Sequence, residues 1–161
     1  MTMNTPRKYV DHKAANTLRG AIENQGKWIY YLTSEGMDRG LDSEFAKDAM
    51  KELGEYYAGS AYAACEDSQQ IANTLMNRAM EIGHEATIEN LDAEGFDLII
   101  GYCPMLNMWN QLSDDQGKKE VLCDVASAMY AGLAGKLGMR VERKCAIAHG
   151  CENCKLCFRK V

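Results

Sequence analysis

The sequence predicts an α+β fold, a helical N-terminal half followed by an antiparallel sheet crossed by one long helix. Apolar residues recur at helical spacing as far as Ile82 and give way to short strand-like runs after Gly83. One further helical stripe, Leu122 to Leu137, interrupts those runs. The 161 residues are 47% hydrophobic with Pro only at 6 and 104, which fits a single domain over 1–161: helices over about 8–82, sheet and site region over about 84–161.

Three helical segments come first. Val10, Ala14, Leu18, Ile22, Ile29 and Leu32 pattern the first; Phe45, Ala49, Leu53, Tyr57 and Ala61 the second; Ile71, Leu75, Met76, Ala79 and Ile82 the third. Asp67 with Gln70 reads as a capping box for the third, and Gly83 can take the left-handed conformation that closes it. His84 to Leu91 and Gly95 to Cys103 then read as a hairpin around Asp92-Ala93-Glu94-Gly95. Pro104 suits a first helical position, so Pro104 to Leu112 is predicted as a short helix with Cys103 at its N-cap. Ser113 to Gln116 reads as a second capping box opening the long helix, whose inner stripe is Leu122, Val125, Met129, Leu133 and Leu137 and which Gly138 ends. Met139 to Ala148 and Cys154 to Lys160 are the closing strands.

Charge narrows the partners. With 18 Lys+Arg against 23 Asp+Glu, a net charge of −5 argues against nucleic acid and against an anionic membrane surface. Met1 to Val10 lacks the apolar core of a secretory signal, and no apolar stretch approaches the ~20 residues of a span, so the expected location is cytoplasmic. The expected partners are a small-molecule ligand or substrate and, for assembly, a second copy in a homodimer.

In a reducing compartment seven cysteines read as metal or redox ligands rather than as a disulfide framework. Cys151, Cys154 and Cys157 form a C-x2-C-x2-C run whose short spacing lets thiolates converge on one ion, with Cys145, Cys123 or His149 as a fourth donor. Zinc is the expected metal and an iron–sulfur cluster the alternative; the plainer reading is that these are small buried apolar residues. Cys103 at a helix N-terminus is a candidate nucleophile, because unpaired backbone N–H groups stabilise a thiolate; burial would do the reverse and leave it inert. Asp124 and His149 are candidate proton carriers. Trp109 and His84 are candidate substrate contacts, with core packing and a solvated strand end the plainer readings. Tyr56, Tyr57 and Tyr62 read as helix packing and His12 as surface.

Tyr102-Cys103-Pro104 with Trp109, then Cys123-Asp124, then Gly150, Cys154 and Phe158, occur in an order and at distances that resemble the L-2-amino-thiazoline-4-carboxylic acid hydrolase family. The chain departs from that pattern at Cys151, where the family usually carries an acidic residue, and at Cys157. The resemblance implies hydrolysis of a small heterocycle with C–N or C–S bonds, through a metal-bound hydroxide or through Cys103 thiolate with Asp124 or His149 moving the proton. More distantly, the chain is similar to 4-vinyl reductase type small-molecule-binding domains. That similarity implies zinc held by Cys123, Glu142, Cys145 and either Cys151 or Cys154. In a regular strand Glu142 and Cys145 face opposite sides, so a shared ion requires a bulge between them. The non-enzymatic alternative is a small-molecule-binding or sensor module with a structural Cys-rich zinc site.

Overall fold

The computed structural model describes residues 4–161; Met1 to Met3, part of the N-terminal stretch read above, lie outside them. Helix α1 spans Lys13–Asp38, α2 Glu44–Gly59, α3 Ser68–Glu81, α4 Pro104–Leu112 and α5 Gln116–Lys136. Strands β1 (Glu85–Asp92), β2 (Gly95–Tyr102), β3 (Met139–Cys145) and β4 (Cys154–Lys160) form one antiparallel sheet in the order β1-β2-β4-β3. The α+β expectation holds, with the helical half first.

Alternation divides the sheet into two faces. Phe96, Leu98 and Ile100 of β2 stand opposite Phe158, Leu156 and Cys154 of β4, and this row meets α3 and α5 in the main core with Leu75, Ala79, Leu133 and Ala134. The Phe96 and Phe158 rings stack at 4.9 Å. A second cluster, Leu106, Trp109, Leu122, Ile147 and Ala148, lies where α1, α4 and α5 meet. Trp109 is buried there and donates its Nε1–H to the Gly26 carbonyl at 2.8 Å. It is a core residue, the plainer of its two readings.

Several sequence expectations are corrected. Asp115, not Ser113, caps α5: its carboxylate accepts the Lys118 N–H at 3.1 Å, and the Ser113 hydroxyl accepts the Asp115 N–H instead. Asp67 does cap α3, while Gln70 reaches back one residue further, to the Glu66 N–H. β3 stops at Cys145, and Ile147–His149 form a 3₁₀ turn closed by Gly150 at φ 88°. In α2 the inner face is Ala46, Gly54 and Ala58, one residue round from the predicted stripe. The cause is packing distance. A Cβ on Gly54 would collide with the Met129 carbonyl and one on Gly132 with the Lys51 carbonyl, so α2 and α5 cross backbone to backbone. In α1 the buried residues are Arg19, Ile22, Gly26 and Thr33, while Leu18 and Leu32 face solvent.

The segment before α1 is tied down. Asn4 accepts the Cys103 N–H at 3.0 Å and donates to the Cys103 carbonyl at 2.9 Å. Arg19 is buried against Glu85 at 3.2 Å, caps the Tyr9 and Lys8 carbonyls and lies over the Tyr102 ring.

Candidate functional site

The sheet and α5 bring together residues far apart in sequence. On α5, Cys123, Asp124 and Ser127 project toward β3, because residues four apart share a helix face. On β3, Arg143 belongs to the inward row with Met139 and Val141. Its guanidinium donates to Asp124 Oδ1 at 2.5 Å and to the Ser127 hydroxyl at 3.2 Å, and passes the Cys123 sulfur at 3.8 Å. The 3₁₀ turn then delivers His149, whose Nε2 lies 3.0 Å from the same Asp124 oxygen.

This arrangement sets protonation states. Partial burial pushes the Asp124 carboxyl up, but the Arg143 hydrogen bond and charge, with the His149 contact, outweigh it and hold the group below the usual carboxylate range. A carboxylate only accepts, so His149 Nε2 is the donor in this contact. Arg143 also lies 3.4 Å from Nε2, and two donors cannot bond each other; the carboxylate between them joins the trio. His149 and Asp124 keep about a third of their side-chain surface in solvent.

The thiols behave differently. Cys103 does sit at the N-cap of α4. Burial, reinforced by the neighbouring Cys154, pushes its thiol up to about 12, and the Leu106 and Met105 amides that oppose this are too weak. Desolvation wins over the helix terminus. Burial also raises Cys123, to about 11, and Cys154. These three are neutral thiols bordering the second core cluster at neutral pH.

The predicted metal ligands do not share one location. Cys145 and Cys151 are joined in a disulfide, contrary to the expectation of free thiols, and the loop it closes contains His149. Cys154 accepts the Ile147 N–H at 3.3 Å from within that loop. β4 sends Cys157 to the opposite side of the sheet, paired across β2 with Asp97. An irregularity does fall between Arg143 and Cys145. Glu142 nevertheless turns to solvent, where Lys144 donates to it at 2.6 Å. Among the described residues no group of three or more His, Cys, Asp or Glu side chains is placed to hold an ion.

His84 is buried at the start of β1, and among the described residues its Nδ1 has no hydrogen-bond partner. It shares no hydrogen bond with the Asp124 group. Arg143 and Ser127 escaped the sequence reading, although a charged residue in the inward row of β3 and a hydroxyl four residues after Cys123 were visible signals. A concavity of about 330 Å³ between α1 and α5, lined by Thr33, Asp115, Lys118 and Leu122 among others, contains none of the site residues. A second, about 630 Å³ and open, lies on α1.

A family model described as L-2-amino-thiazoline-4-carboxylic acid hydrolase matches residues 13–158. No curated protein matches the chain. Among solved structures, the chain is similar to the crystal structure of a trafficking protein particle complex subunit 3 from Naegleria fowleri covalently bound to palmitic acid. The identity is 14% and the TM-score 0.60, over 86% of this chain and 94% of that one. That likeness shows the fold alone.

Proposed function

The chain belongs to the L-2-amino-thiazoline-4-carboxylic acid hydrolase family, and on that premise we propose that it hydrolyses a small cyclic amidine, with His149 as general base and Asp124 as the group that orients it. The observation that carries this reading is the single Asp124 oxygen facing both Arg143 and His149. His149 Nδ1 takes a proton from water as the water oxygen attacks the ring carbon between nitrogen and sulfur. Asp124 stabilises the imidazolium, which then returns the proton to the departing heteroatom. Arg143 acts as a positioning residue. It anchors Asp124 and adds positive charge near an exposed site, which suits a substrate carboxylate.

Cys103 takes no covalent role in this scheme. A thiol raised to about 12 supplies almost no nucleophile at neutral pH. No step is routed through a metal, because the donors present do not converge. The test is ring opening of 2-amino-thiazoline-4-carboxylate followed by chromatography. Replacing His149→Gln or Asp124→Asn is expected to lower kcat by roughly 10²–10⁴. Undiminished turnover in His149→Gln would remove the dyad from the mechanism.

One observation favours a second reading. Cys154 bonds into the loop that Cys145 and Cys151 close, so reduction would release two further thiols beside it. Zinc bound by the reduced protein and lost in Cys154→Ser would support the Cys-rich structural site and a binding-module function.

A further inference from the structure

Helix α1 presents an outward face that its own fold leaves uncovered. None of the exposed positions between Ala14 and Leu32 carries a charge, although a quarter of the whole chain is charged. Trp28, Tyr31 and Leu32 are 66%, 60% and 70% exposed. The pattern along this face is regular: Ala14, Thr17, Ala21, Asn24, Trp28 and Tyr31 alternate three- and four-residue steps. That is the repeat with which two helices pack side by side at a shallow angle. The face is also graded, with small residues toward its N-terminal end and large ones toward its C-terminal end.

We propose that this face pairs with the same face of a second copy, antiparallel, about a two-fold axis between Asn24 and Gln25. That register sets Trp28 against the partner's Ala21, Leu32 against the partner's Thr17 and Tyr31 against the partner's Leu18. Trp28 and Leu32 then meet small side chains and Tyr31 packs on Leu18, the same on both halves, as an isologous interface requires. The open depression of about 630 Å³ on α1, lined by His12, Lys13, Ala14, Thr17 and Leu18, receives the partner's Tyr31 and Leu32. The two central amides face their counterparts, and Lys13 at one end comes beside the partner's Glu35 at the other. Glu35 already accepts from Arg39 at 2.7 Å, an exposed pair that leaves its carboxylate able to take a second cation. Leu18, Trp28, Tyr31 and Leu32 offer on the order of 500 Å² per protomer, which brings the pair to about the 1,000 Å² of a specific interface. The proposal is independent of the catalytic reading.

Sedimentation of the full chain over a micromolar concentration series tests it, alongside tryptophan emission. Of the two tryptophans Trp109 is buried, so a blue shift on association reports Trp28. A dimer is expected, with the shift following its formation, and Trp28→Glu should weaken it at least roughly tenfold while circular dichroism stays unchanged. Lys13→Glu should weaken it and Lys13→Glu with Glu35→Lys should restore it. A monomer throughout the series, a dimer that withstands Trp28→Glu, or a double charge reversal as weak as the single one would each overturn the proposal.

Discussion

Asp97 lies on the open face of the sheet, yet its side chain is only 3% exposed because Arg159, Lys155 and Asn90 close over it at 2.6, 2.9 and 2.7 Å. Burial pushes its carboxyl up, and the hydrogen bonds from those three outweigh burial and hold it far below the usual range. Such a carboxylate contributes fully above its ordinary value of 3.8 and loses that contribution as pH falls toward its depressed one. Asp97→Asn is expected to cost about 2 kcal/mol at neutral pH in urea unfolding, with the gap closing only in strong acid. His84 has the opposite character. Burial lowers it to about 4 from 6.5, so between those values the unfolded chain takes a proton that the folded chain refuses. Stability should fall toward acid across that window by up to about 3 kcal/mol, and His84→Gln should flatten the slope. Asp97 went unmarked in the sequence, and the burial of His84 was not legible, because burial depends on what packs over a residue. Asp124, His149 and Cys103 were legible as residues of interest, but whether Cys103 is activated or silenced turned on desolvation, which spacing does not encode.

At the level of elements, hydrophobic periodicity located α1, α2, α3, α5 and the strands, Pro104 marked α4, and the 3₁₀ turn at Ile147–His149 was read as strand; periodicity failed where contact is made by small residues. α2 turns Gly54 and Ala58 inward because no side chain fits between its backbone and that of α5. Gly132→Ala should destabilise by about 2–3 kcal/mol, measured by chemical denaturation, because a carbonyl of α2 must move to admit one methyl group. Strand geometry likewise decides the cysteine run. C-x2-C-x2-C reads as a tight turn that gathers sulfurs, whereas Cys154 and Cys157 both lie on β4, where residues three apart face opposite sides. α1 had its periodicity right and its outcome reversed, since much of its apolar surface faces outward.

Over the whole molecule, the site forms where the second core cluster meets the sheet edge, on a loop that depends on one covalent tie. Cys145→Ser is expected to cost about 2 kcal/mol, by the chain entropy of a short closed loop, and to lower turnover by freeing His149 from Asp124. Activity retained in full by a variant with that loss of stability would mean that the loop holds His149 without it. The resemblance put Asp124 and His149 in one reaction, but Arg143 between them was not readable along the chain, because the three belong to different elements.

The grip of Asn4 on Cys103 has a kinetic meaning. Its side-chain amide copies the donor and acceptor of a neighbouring strand and pins the segment before α1 to the Cys103 backbone. The rate at which maleimide consumes the Cys103 thiol is then expected to report local release of that segment rather than global unfolding. Asn4→Ala should quicken the labelling roughly tenfold or more while the melting temperature barely moves.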